Sequence, residues 1–73
     1  MLTAEEIISR LENEARTDGV AKPFVSGRVR VDCEFVRDLA IFSWRIDGRT
    51  TTRQRAVQAI DEARRFPSRK ALI

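Results

Sequence analysis

The densest run of chemistry-bearing side chains is Arg45 to Arg55, reading Arg-Ile-Asp-Gly-Arg-Thr-Thr-Thr-Arg-Gln-Arg. Asp47-Gly48 marks a turn leading towards a helix, and Arg49, Arg53 and Arg55 then gather around that helix's first turn. Cations there oppose the helix macrodipole, at about 0.3–1 kcal/mol each. Three guanidinium groups, the Thr50, Thr51 and Thr52 hydroxyls and free backbone N–H groups would together suit an anion, whether a nucleic-acid phosphate, a small phosphate or a carboxylate cluster on a partner. The competing account has long, solvated arginines leaning away, with Arg53 along the flank of the helix's apolar stripe.

Other chemistry is poorly supplied. With no His in the chain, imidazole acid–base work, His-containing triads and His metal ligands are absent. Cys33 is the single cysteine, so there is neither an internal disulfide nor a Cys-based zinc cluster. It alternates inward between Val31 and Phe35, the setting of an inert structural thiol. Glu5-Glu6 and Asp61-Glu62 are sequence neighbours on helices, where side chains diverge by roughly 100° and cannot share one proton or metal. No phosphate loop, Ser elbow or metal-ligand spacing occurs. The expectation is a non-enzyme that carries no cofactor and no metal.

The elements that position these residues follow from periodicity. Residues 3–17 read as a helix with a Thr3/Glu6 capping box, a Leu2/Ile7 staple and an apolar stripe of Ile7, Ile8, Leu11 and Ala15. Glu6–Arg10 and Glu12–Arg16 have the spacing of surface ion pairs, and Asp18-Gly19 is a stop. Residues 27–48 read as a β-hairpin, because Val29, Val31, Cys33 and Phe35, then Ala40, Phe42, Trp44 and Ile46, alternate with mostly polar residues. A two-residue turn at Arg37-Asp38 pairs Phe35 with Ala40, Cys33 with Phe42, Val31 with Trp44 and Val29 with Ile46. Arg is a poor first residue for such a turn, which leaves a longer loop as the alternative. A second helix, about 52–65, is capped by Thr51 with Gln54 and buries Ala56, Val57, Ala59, Ile60 and Ala63. Pro67 ends it, and residues 68–73 form a basic then apolar tail.

That register also assigns the hairpin's outer face. Arg28 opposes Asp47, Arg30 opposes Arg45 unless Asp32 or an anion intervenes, Val36 opposes Leu39, and Ile41 lies beside Glu34. The candidate anion or partner contacts are therefore Arg28, Arg30, Arg45, Arg49, Arg53 and Arg55. The apolar hairpin end, Val36, Leu39 and Ile41, is a candidate interface.

The 73 residues suit one small α+β domain of order helix, strand, strand, helix, with both helices on the apolar side of an antiparallel sheet. Two strands are few, so a third short strand near Phe24 or a second subunit should complete the sheet. A chain this short buries only about 60% of its unfolded surface, and a homodimer would help it. The net charge of +3 divides into −2 over residues 1–36 (five basic, seven acidic) and +5 over residues 37–73 (nine basic, four acidic). The N-terminus is acidic where a signal or transit peptide is basic, and Leu39 to Phe42 is far too short to span a membrane. A soluble cytoplasmic protein is expected.

Two functions from different classes follow. The first is an adaptor or inhibitor that docks on a larger protein, or protein–nucleic-acid complex, with an acidic surface. Arg beside apolar anchors is the composition of interface hot spots. In size and compactness the chain is similar to small phage-encoded accessory proteins that inhibit host defence, including anti-CRISPR proteins. The second is a nucleic-acid-binding module. By strand-strand-helix order alone, residues 28–65 resemble the arm-site DNA-binding domain of tyrosine integrases. That resemblance implies a sheet entering a groove, with Arg28, Arg30, Ser43 and Arg45 on the reading face and Arg49, Arg53 and Arg55 on phosphate. Asp32, Glu34 and Asp47 depart from its pattern.

Overall fold

Thr3 opens the first element. Its side chain accepts the Glu6 N–H at 3.1 Å, and its own N–H donates to Glu6 Oε1 at 2.7 Å, closing the expected capping box. These bonds from Thr3, backbone first, hold the Glu6 carboxyl below its ordinary pKa. The cap's contribution is thus present at neutral pH and is lost as pH falls through that lowered value. The computed structural model describes residues 2–27 and 29–65; Arg28 and the tail 68–73 lie outside them. The order is α1 (Ala4–Asp18), β1 (Phe24–Ser26), β2 (Val29–Val36), β3 (Ile41–Ile46), β4 (Arg49–Thr51) and α2 (Arg53–Arg65). The four strands form one antiparallel sheet in sequence order, so the molecule is α+β as expected. Among the described residues no helix is long and apolar enough to cross a membrane.

The inner sheet face holds the cross-strand pairs Val31–Ile46, Cys33–Trp44 and Phe35–Phe42. β1 adds Phe24 opposite Val31, which supplies the expected third strand. Both helices cover this face. Ala4, Ile8, Leu11 and Ala15 of α1 and Ala56 and Ile60 of α2 form one buried cluster with Val31, Cys33 and Trp44. Each fully buried Val or Ile contributes about 1.5–3 kcal/mol relative to exposure. The Phe35 and Phe42 rings meet at 5.1 Å and a 48° tilt at one end of the core.

The hairpin register differs from the sequence expectation by two residues. A two-residue turn would need left-handed backbone at its first central position or at both, which Arg37 does not favour. Instead Arg37 to Ala40 form the loop: Leu39 N–H donates to the Val36 carbonyl at 3.2 Å, Ala40 N–H donates to the Arg37 carbonyl at 3.1 Å, and Ala40 takes φ 54°. A shift of two keeps the strand side chains on their faces, so the buried set survives with changed partners except for Ala40, which was expected inward opposite Phe35 and instead lies exposed in the loop. Val36 stands opposite Ile41 rather than Leu39, and Glu34 opposite Ser43. Arg45 stands opposite Asp32, which removes the expected Arg30–Arg45 apposition.

Two further corrections lie downstream. Asp47-Gly48 does not lead into the second helix but closes a tight β3–β4 hairpin, with φ 52° and 84° at its two residues and Ile46 paired with Arg49. Asp47 also engages β2, its N–H donating to the Arg30 carbonyl and its Oδ1 accepting the Arg30 N–H at 3.0 Å. With β4 occupying Arg49–Thr51, the cap of α2 moves to Thr52, whose hydroxyl accepts the Arg55 N–H at 3.2 Å. The third residue of the helix is then Arg55, and the Thr51/Gln54 box does not form. The expected Glu6–Arg10 and Glu12–Arg16 pairs also give way. Glu6 serves the Thr3 cap, Glu12 turns to Arg53, and Arg16 donates to the Asn13 side chain and lies 5.4 Å from the centre of the Phe42 ring.

A Cβ at Gly48 would meet no atom within 4 Å, but its φ of 84° is costly for an L-residue. Gly48→Ala should therefore lower stability by about 1–2 kcal/mol, read from the urea midpoint, through backbone strain alone.

Candidate functional site: the open sheet face and the hairpin end

One face of the sheet carries the helices; the other has no described element packed on it. Strand alternation gives that outer face its content. Row by row across the strands it presents Val25 with Arg30, Asp32 with Arg45 and Thr50, Val20 with Glu34 and Ser43, and Val36 with Ile41. The middle is charged and the margins are apolar. Val20 is 58% exposed, Val25 63%, Ile41 49% and Leu39, at the loop tip, 66%. A shallow depression of about 500 Å³ lies among Val20, Arg30, Asp32, Glu34, Ser43 and Arg45.

The arginines are deployed singly rather than as a cluster. Arg30 holds Asp32 along its own strand, Nε to Oδ2 at 3.1 Å with a second contact from Nη2 to Oδ1 at 3.3 Å. The hydrogen bond and charge of Asp32 raise the Arg30 pKa above its ordinary value. Arg45 projects from the same face opposite Asp32. Arg49 pairs with Ile46 in register and so stands on the helix side of the edge strand, away from Arg45. Arg55 is exposed, and its backbone is tied to the Thr52 cap. Arg28 lies outside the described residues.

Arg53 is committed to the fold. Its Nε donates to Glu12 Oε2 at 2.8 Å, and its Nη2 contacts Glu12 Oε1 at 3.4 Å and Glu5 Oε1 at 3.3 Å. Two carboxylates one helical face apart on α1 thus flank a cation that would otherwise oppose the α2 macrodipole. Their hydrogen bonds and charges, Glu12 foremost, raise its pKa. Of the expected trio Arg49, Arg53 and Arg55, Arg53 is thus held by carboxylates rather than open to an anion, while Arg30 and Arg45 share the outer sheet face with Asp32 and Glu34. Arg37, Arg45, Arg49 and Arg55 make no ion pair among the described residues.

The apolar hairpin end is present, with Val36 paired to Ile41 and Leu39 projecting from the loop. Val20 and Val25 escaped sequence reading as surface residues. Val25 had a signal, its alternation with the inward Phe24. Val20 had none, because a single bridge to Glu34 just after a helix stop has no periodicity. Cys33 is buried, and burial, with a smaller push from the Glu12 charge, lifts its pKa to about 11.

The thiol should be inert to a disulfide reagent at pH 8 in the folded chain and react fully in denaturant. Because the unfolded thiol ionises near 9.0, stability should decline as pH rises from there towards 11. Arg53→Ala should lower stability by up to about 1 kcal/mol, as befits a partly exposed pair. Arg49→Ala should stay within about 0.5 kcal/mol. A double-mutant cycle of Arg53 with Glu12 checks that the loss belongs to this pair.

No protein family model matches the chain, and neither a curated protein nor a solved structure matches it, which leaves its surface as the guide to what it does.

Proposed function

We propose that this protein is a non-catalytic binding module, an adaptor or inhibitor that docks on a larger protein inside the cell. The observation that carries the reading is the exposed apolar hairpin end: Leu39 and Ile41 stand in solvent beside Val36, contributing nothing to the buried cluster. Such a patch, with Arg37 in its loop and Arg45 two rows away on the same sheet face, has the make-up of a protein contact with an acidic partner surface. Small anti-defence proteins of phages are the genre that this description fits.

The alternative, a nucleic-acid-binding module, draws less support. Asp32 and Glu34 share the sheet face with Arg30 and Arg45 and would be driven against phosphate. Arg30 and Arg53, two of the arginines that reading needs, are already held by carboxylates. Each acid among the contacts repels phosphate and subtracts from the counterion-release gain on which such a binder depends.

The test replaces Leu39, and in a control the exposed Ser9 of α1, with a photo-crosslinking residue in the native host. A discrete adduct with a different protein from position 39 that Ile41→Asp abolishes is the expected result; a self-adduct alone, or identical adducts from both positions, overturns the reading. Fluorescence anisotropy with labelled duplex and single-stranded DNA at about 50 and about 200 mM salt separates the alternative. Tight binding with a steep salt slope that Arg45→Ala reduces would transfer the function to nucleic acid.

A further inference from the structure

We infer that the open sheet face is a homodimer interface, occupied by a second copy of this chain. This goes beyond the docking role of the hairpin end: it takes Val36 and Ile41 into the dimer and leaves the Leu39 loop tips to a partner. Charge argues first. The chain carries +3 overall, so two copies repel at a distance, yet the outer face holds Arg30 and Arg45 against Asp32 and Glu34 and is locally neutral. It is a face on which two like-charged copies can meet without repulsion.

The layout of the charges then selects one arrangement. Consider a two-fold axis parallel to the strands and midway between β2 and β3. Rotation about it preserves height along the strands and exchanges the two, so each row meets itself with its ends swapped. Asp32 of one copy faces Arg45 of the second, and the reverse contact forms by symmetry. Glu34 faces Ser43, a hydroxyl donor, and Val36 faces Ile41, apolar on apolar. An axis perpendicular to the strands fails instead. Centred on the Asp32 row it sets Asp32 against Asp32, centred between the Asp32 and Glu34 rows it sets Asp32 against Glu34, and centred between the Arg30 and Asp32 rows it matches those two but leaves Val36 and Ile41 with no apolar row opposite. Sheets packed face to face align within about 30°, so this matching holds for the central rows, where the charged pairs sit. The depression beside Asp32 gives each incoming Arg45 side chain room to enter. Both hairpin loops lie at the same end of the dimer, so two copies of Leu39 stand side by side.

The arrangement has a signature that no generic stickiness shares. Asp32→Arg places cations on both sides of the contact, and Arg45→Asp places carboxylates on both sides. Each single variant should be monomeric by sedimentation equilibrium, with a dissociation constant raised by roughly a hundredfold or more over the parent. A 1:1 mixture of the two should dimerise again, because every cross-interface pair is then of opposite sign. Far-ultraviolet circular dichroism confirms folding of each chain. Ile41→Glu, at an exposed position outside the core, should also yield a monomer and carries the test if a charge variant fails to fold. A parent chain that stays monomeric at about 100 µM, well above the dissociation constant of a stable dimer, overturns the proposal. So does a dimer that survives both reversals and Ile41→Glu. The readout uses purified chain alone; in the host a position-39 adduct of twice the chain's own mass reports this dimer, and only an adduct with a different protein reports hairpin docking, so the two failures are distinguishable.

Discussion

Burial of Val31 and Cys33 demands cover on one side of β2 only, because alternation sends Arg30, Asp32 and Glu34 to the other. Both helices answer that demand from the same side. α1 brings Ile8, Leu11 and Ala15, and α2 brings Ala56 and Ile60, small residues letting each helix approach closely. β1 and β3 flank β2, so this one strand touches most of the molecule. Everything on the far side is a by-product of the choice: a polar strand face with apolar margins, on which no described helix packs.

The fold was largely legible because period-2 alternation and helical stripes encode which face is buried, and that information tolerates a register error of two. The hairpin register itself was not legible, since a loop of two or four residues gives the same inward set apart from Ala40, and only the reluctance of Arg37 to take positive φ separates them. Asp47-Gly48 offered a clear signal for a tight hairpin, but the three residues of β4 are too few to show alternation of their own. The candidate site was legible only in part. Leu39 and Ile41 are exposed where expected, whereas the role of Arg53 rests on Glu5 and Glu12, more than forty residues away in sequence, and no local spacing announces such a pairing.

Charge in this molecule is managed pair by pair. Arg53 locks the start of α2 to the flank of α1, Arg65 pairs with Asp61 within one helix, and Arg30 is tied to Asp32 on the sheet. An excess of arginine therefore does not translate into a positive face. Arg37, Arg45, Arg49 and Arg55, which make no ion pair among the described residues, sit on different elements, which suits contact with proteins better than tracking a phosphate backbone.

The end of α1 is not free to behave as a helix end. Gly19 caps it through an N–H to the Ala15 carbonyl, while the Gly19 carbonyl accepts the Phe35 N–H at 2.8 Å and the Ala21 N–H donates to Cys33 at 2.9 Å. Glu14 reaches forward to the Lys22 N–H at 2.7 Å, fastening the same corner. One short segment is therefore both the terminus of a helix and a rung of the sheet's ladder. Unwinding the last turn of α1 must break sheet hydrogen bonds, and peeling that edge must unwind the helix. Neither can open as a separate local event, so the two behave as a single cooperative unit in a chain too small to hold two.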